Sequence, residues 1–221
     1  MSLVIFDLDN TLIAGDSDHL WGEFLVEQGL VDENHYRIHN DKFYQDYKDG
    51  CLDIQAFLRF SLFPLTQYSI QRLNALREEF VQQKILPIIL PDAQKLVDHH
   101  RNNGQTLMII TATNRFVTAP IAQIFQIPHL LATEPEINTR GYTGKIVGEP
   151  CFKEGKIVNL NRWLKSDQVD LDDSWFYSDS YNDLPLLELV THPIAVDPDE
   201  RLRIHAQQQN WKIISLRTTK N

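Results

Sequence analysis

Asp7 and Asp9 follow an apolar run, Leu3–Phe6, and their spacing sets the chemistry to look for. In extended backbone, residues two apart share a face, so both carboxylates can address one site while Leu8 points into packing. Such a pair suits a metal ion and a phosphate; a solvated strand end with an Asp-rich turn would give the same pattern. Thr111 follows Leu107-Met108-Ile109-Ile110 and would donate its hydroxyl to a phosphate oxygen, or else serve as a capping or turn residue. Asp179 and Asp183 follow Trp175-Phe176-Tyr177-Ser178, where Asp183 could instead cap the next helix. Carboxylates about 4 Å apart repel by roughly 4 kcal/mol per pair at an effective dielectric near 20, so several at one edge require cations. All-oxygen ligands, without His or Cys beside them and with a phosphate partner, favour Mg2+ over zinc. Lys156 is the candidate organic cation. It lies in the first turn of an expected helix, where the macrodipole disfavours a cation unless an anion is close. An ordinary surface lysine at 156, or Lys153 in its place, remains an alternative.

The elements that must position these groups alternate strand and helix. Strands are expected over 3–6, 106–110, 130–132, 174–177, 194–196 and 213–216, with a small hairpin at 137–147. Helices are expected over 92–103, 115–125, 155–165, 182–190 and 200–208. This alternation implies an α/β fold, a doubly wound and mostly parallel sheet with helices on both faces, whose strand ends gather the polar residues at one edge. Residues 16–86 break the rhythm. They offer helical spacing only, with helices expected from Leu20 onward and over 34–47, 54–62 and 69–85, and Ser17 and Asp18 as cap candidates for the first. The chain therefore divides into a core of residues 1–15 and 87–221 and an inserted helical segment, 16–86.

Composition excludes several classes of function. The 221 residues suffice for one large core with a modest insertion, and 43% hydrophobic content supports a folded globule. A formal charge of -9, from 21 basic and 30 acidic residues, repels phosphate backbones and argues against nucleic-acid binding. Cys51 and Cys151 lie far apart without metal spacing, so neither a disulfide framework nor a zinc site is indicated. No basic leader and no long apolar run is present, which makes the cytoplasm the expected location and a membrane partner unexpected. Oligomeric state leaves no trace in the sequence.

Phe6-Asp7-Leu8-Asp9-Asn10-Thr11-Leu12 resembles the first motif of the haloacid dehalogenase superfamily, and the later motifs recur in order. The strand ending at Thr111 is similar to the second motif. Gly155-Lys156-Ile157-Val158 is similar to the third, in the form of the phosphoserine phosphatase-like and histidinol-phosphatase-like branch, and Ser178-Asp179-Ser180-Tyr181-Asn182-Asp183 to the fourth. The resemblance implies a Rossmann-like core with a helical cap and a Mg2+-dependent phosphatase acting on a small phosphorylated metabolite. Asp7 would be the nucleophile, forming an aspartyl phosphate, and Asp9 the acid and base. Asp7, the Asp9 carbonyl and Asp179 would hold the metal, Lys156 would stabilise the transferring group, and Asp183 would orient the lysine or a metal-bound water. A halide leaves without a proton and an alkoxide does not, so Asp9 favours phosphatase over dehalogenase chemistry. A phosphomutase or phosphotransferase, or a catalytically silent phosphate-binding module, would retain the same motifs. For the substrate, Asp16 lies near the acid that holds the amine in phosphoserine phosphatases, although it also reads as a helix cap. Trp21, Phe43, Tyr44 and Tyr47 suggest an aromatic pocket, and Arg37 and Arg59 a carboxylate clamp. An amine-bearing ester such as histidinol phosphate or phosphoserine fits this set.

Overall fold

Leu3–Phe6 (β1) is buried on both faces, the condition of a central parallel strand. The structure, a computed structural model, describes residues 2–217. Alternation along β1 divides the interior in two: Val4 and Phe6 enter one apolar cluster, Leu3 and Ile5 the other. The strands are β1, β2 (Thr106–Asn114), β3 (His129–Asn138), β4 (Gly141–Val147), β5 (Trp175–Ser178), β6 (His192–Val196) and β7 (Lys212–Ile214). They form one sheet in the order β4-β3-β2-β1-β5-β6-β7, parallel except for β4 against β3. The chain winds outward from β1 through β2 to β3, then returns to β5 on β1's other side. β1 is thus flanked at the topological switch point, where open sheets of this kind bind ligands beyond the strands' carboxyl ends.

The inserted stretch contains α1 (Ser17–Glu27), α2 (Glu33–Lys48), α3 (Ile54–Leu62) and α4 (Ile70–Phe80). Each begins with a side chain that accepts a first-turn backbone N–H: Asp16, Asp32, Asp53 and Ser69. For α1 the cap is Asp16 rather than Ser17 or Asp18. The remaining helices are α5 (Pro91–Asn102), α6 (Arg115–Ile124), α7 (Glu154–Asp167), α8 (Leu184–Leu187) and α9 (Glu200–Gln208). Helices α5 and α6 cover the Val4/Phe6 face through Val97, Val117 and Ile121, while α7, α8 and α9 cover the other through Leu160, Leu187 and Leu202. Trp21, Phe24 and Phe80 belong to the same cluster as Phe6, so α1 and α4 share the sheet's own core.

Four expectations about boundaries are corrected. Strand β2 passes Ile110 and runs to Asn114, with its register against β3 shifting between those residues. The separate strand at 130–132 and hairpin at 137–147 are one hairpin of β3 and β4; Pro135, which reads as a breaker, is accommodated where the β3–β4 register shifts. Helix α4 ends at Phe80 and gives way to a π turn, Val81–Ile85, and a 3-10 turn, Leu86–Ile88, because Pro87 offers no N–H to a continuing helix. The expected 182–190 helix is a 3-10 turn, Tyr181–Asp183, followed by short α8 with Pro185 in its first turn. No helix among the described residues is long and apolar enough to cross a membrane.

Candidate active site

Beyond β1 the backbone closes into one tight turn, with Leu12 N–H donating to the Leu8 carbonyl at 2.9 Å. Asn10 supplies the left-handed residue of that turn at φ 58° and donates its N–H to Gly15 O at 2.9 Å. The Asp7 N–H still reaches Tyr177 O at 2.8 Å, so the carboxylate is fixed at the end of the β1–β5 ladder. The turn sends the two acids to different partners. Asp7, almost wholly buried, accepts from Lys156 Nζ at 2.7 Å. Asp9 faces β2 and the start of α1, accepting from Thr113 Oγ1 at 2.8 Å, Thr111 Oγ1 at 3.3 Å and Ser17 N–H at 2.6 Å.

Lys156 is buried in the first turn of α7 and bridges two carboxylates, with Asp183 also 2.7 Å from Nζ. Asp183 in turn accepts from Ser178 Oγ at 2.7 Å. Asp179 accepts from Thr11 Oγ1 at 3.2 Å, while its own N–H donates to that same oxygen at 3.1 Å. Gly155 places Lys156. An added Cβ there would overlap the Pro150 carbonyl oxygen, so the approach of this loop to α7 requires glycine. Lys153, the competing lysine, turns away at φ 49° and donates to Gly50 O in the inserted segment at 2.9 Å.

One lysine among buried acids leaves the charge unbalanced. Burial pushes the Asp7 carboxyl up to about 8, against the pull of Lys156 and with the repulsion of Asp183 and Asp9. Burial likewise raises Asp179 well above the carboxylate range, reinforced by Asp7 and Asp183. Burial raises Asp9 too, and the hydrogen bonds from Ser17, Thr113 and Thr111 oppose it. For Lys156, burial favours the neutral form, but Asp183 and Asp7 prevail and hold the ammonium charged. The donor set is all oxygen, with acid groups short of positive charge. It fits a hard divalent cation held by Asp7 and Asp179.

The structure brings Asp7, Asp9, Thr111, Lys156, Asp179 and Asp183 to one edge and separates the four cap candidates. Asp16 and Tyr44 line the cleft above Asp7 and Asp9, as do Phe43 and Tyr47. Trp21 does not: it is 1% exposed and packs against Phe24, Phe80 and Phe116, an anchor of the inserted segment rather than a cleft wall. Arg59 lines a separate groove with Tyr36, Phe60 and Tyr68. Arg37 is occupied by Glu33 and Glu23, so no carboxylate clamp forms from these arginines. Sequence reasoning assigned no role to Thr113 or His19, held Thr11 only as part of the first motif, and offered Asp18 only as a helix cap. Thr113 had a signal, since it shares a strand face with Thr111 two residues away.

A sequence model of haloacid dehalogenase-like hydrolases matches residues 4–188. The chain is a haloacid dehalogenase-like hydrolase. This hydrolase is 44% identical over 220 residues to a histidinol-phosphatase of Neisseria meningitidis, covering 98% of this chain and 99% of that protein. It is 32% identical over 221 residues to a phosphoserine phosphatase of Mycobacterium tuberculosis, covering 96% of this chain and 70% of that one. Among solved structures, a Bordetella pertussis protein of unknown function superposes with a TM-score of 0.92 at 43% identity, over 98% of this chain and 99% of that one. A phosphoserine phosphatase captured as a phospho-aspartyl intermediate analogue superposes at 0.70 with 16% identity, over 98% and 93%, a likeness of fold alone. With these relatives, the haloacid dehalogenase-like hydrolase is a phosphatase.

Proposed function

We propose that this phosphatase is a Mg2+-dependent phosphomonoesterase that works through an aspartyl phosphate on a small, amine-bearing metabolite, of the kind the names histidinol-phosphatase and phosphoserine phosphatase describe. The observation that carries the reading is the Lys156 ammonium, 2.7 Å from both Asp7 and Asp183 at the sheet's switch point. The Asp7 and Asp179 carboxylates and the Asp9 carbonyl would hold Mg2+, which would supply positive charge for the phosphoryl oxygens. Asp7 attacks phosphorus in line, so its carboxylate gains a P–O bond as the ester P–O bond breaks. Asp9 gives its proton to the departing alkoxide. Burial supports that protonated form, and Ser17 and Thr113 aim the carboxyl. Asp9 then takes a proton from the water that attacks the aspartyl phosphate, releasing phosphate and restoring Asp7. Lys156 balances charge gathering at Asp7, Thr111 donates to a phosphoryl oxygen, and Asp183 keeps Lys156 in line. Residues 16–86 act as a cap on the core of 1–15 and 87–221, excluding bulk water during the transfer.

The test is turnover of an aryl phosphate by Asp7→Asn and by chelated wild-type protein. Asp7→Asn should lose at least about three orders of magnitude in kcat, because it removes the nucleophile. Exhaustive chelation should silence the wild type and added Mg2+ restore it. Undiminished hydrolysis by the variant would sink the aspartyl-phosphate reading, and full activity in chelator the metal requirement.

A further inference from the structure

The alcohol end of the cleft is built around an acid that nothing among the described residues satisfies. Asp18 is only 9% exposed and lines the cleft with Asp16, His19 and Tyr44. Its place in the first turn of α1 gives a helix-dipole explanation, which would call for contact with the turn's free N–H groups. Those are taken: Ser17 N–H donates to Asp9, and His19 N–H to Asp16 at 2.8 Å. No hydrogen bond or ion pair to the Asp18 carboxylate exists among the described residues. Its neighbours repel it. Burial, then Asp16, then Asp9 raise its pKa well above the usual carboxylate range. Asp16, by contrast, is engaged as the helix cap.

The cleft wall around Asp18 is acidic and aromatic, with His19 as its one imidazole among the described residues. Among the described residues neither Lys nor Arg lines the cleft; Phe43, Tyr44, Tyr47 and Phe57 do, with the Tyr44 ring stacked on His19 at a centroid distance of 4.7 Å. A carboxylate on the substrate would meet acids and aromatic faces and no partner. A cationic nitrogen would meet a buried carboxylate and π surfaces.

Resting on the phosphatase reading above, we propose that Asp18 is the specificity-determining residue, and that it selects phosphate esters whose alcohol carries a cationic nitrogen and no carboxylate. Of the two esters named for the relatives, this chemistry admits histidinol phosphate and disfavours phosphoserine. The selecting acid is the unpartnered Asp18 and not the capping Asp16. An unpartnered buried acid also weakens the free protein, so removing it should stabilise the fold while impairing selection.

The experiment compares wild type, Asp18→Asn and Asp16→Asn on histidinol phosphate, phosphoserine and 4-nitrophenyl phosphate, with melting temperatures at pH 8 with and without histidinol. Wild type should favour histidinol phosphate over phosphoserine. Asp18→Asn should lower kcat/KM for histidinol phosphate about 100-fold, chiefly through KM, and far more than it lowers aryl phosphate hydrolysis. Its melting temperature should rise, and histidinol should raise that of the wild type but not that of the variant. Equal losses on both esters, a lower melting temperature for Asp18→Asn, a wild-type preference for phosphoserine, or selective loss in Asp16→Asn instead would overturn the inference. Failure of the phosphatase reading shows separately as a wild type inert on every ester, whereas histidinol binding reports on Asp18 without turnover.

Discussion

The two ends of the cleft are built on opposite terms. At the phosphate end each acid has a protein partner: Asp7 and Asp183 share Lys156, Asp179 pairs with Thr11, and Asp9 is held by Ser17 and Thr113. At the alcohol end, in the first turn of α1, Asp18 has none among the described residues. The phosphate end belongs to strand termini of the sheet, fixed by ladder hydrogen bonds; the alcohol end belongs to helices that only the inserted segment supplies. On the proposed reading, groups common to every phosphate ester are pre-satisfied, and the group that would tell esters apart is left for the ester to satisfy. Chemistry and choice would then occupy different parts of the fold.

The sharpest way to break this division is at Lys156. Lys156→Ala leaves Asp7 and Asp183 facing each other in the interior, and kcat/KM should fall by about 1,000-fold or more on every substrate alike, as steady-state assays on a panel of esters would read. A loss confined to one ester would place selection at the wrong end. Trp21→Ala comes next and acts on the scaffold. It removes a buried indole from the joint of α1, α4 and α6, so denaturant unfolding should show a loss of about 3–5 kcal/mol while the ranking of substrates stays as in the wild type. Thr113→Val takes one hydrogen bond from Asp9 and should reduce kcat about tenfold for all esters, most for those with poor leaving groups. The smallest effect is expected for Arg59→Ala. Its groove is not the cleft, and kcat/KM should stay within about twofold of wild type on the whole panel.

The phosphate end was largely legible in the sequence because a parallel strand buried on both faces writes itself as a short apolar run, and the polar residue that ends it stands out. Asp7, Thr111 and Asp179 were found that way. The helices of the inserted segment were legible through their helical apolar spacing, and the structure adds Asp32, Asp53 and Ser69 as the caps that start three of them. What could not be read was which side of each helix faces the cleft. Trp21 and Tyr44 are both aromatic, yet Trp21 shares a face with Phe24 and Leu25 and points to the core, whereas Tyr44 lies on a helix whose outward charges mask its inner face. Arg59 follows Leu58, which is buried, and one position along a helix is a turn of about 100°. The choice of Lys156 over Lys153 rested on a helix start, and the backbone at Lys153, with φ 49°, directs that side chain to Gly50 instead. Asp18 was visible only as a helix-start acid, since nothing in a sequence reveals that a carboxylate lacks a partner.

Gly155 ties the lysine's position to a contact that does no chemistry. Any side chain there must displace the Pro150 carbonyl or rotate the first turn of α7, and Lys156 moves with that turn. Positions 150 and 155 are therefore expected to vary together or not at all among related sequences. A relative that keeps all four acids and the lysine, but carries a side chain at 155, should retain the motif and lose the geometry unless the loop at 150 has changed in step. A residue with no functional group is thus expected to tolerate substitution poorly, and the signature of the lysine to be a coupled pair rather than a single letter.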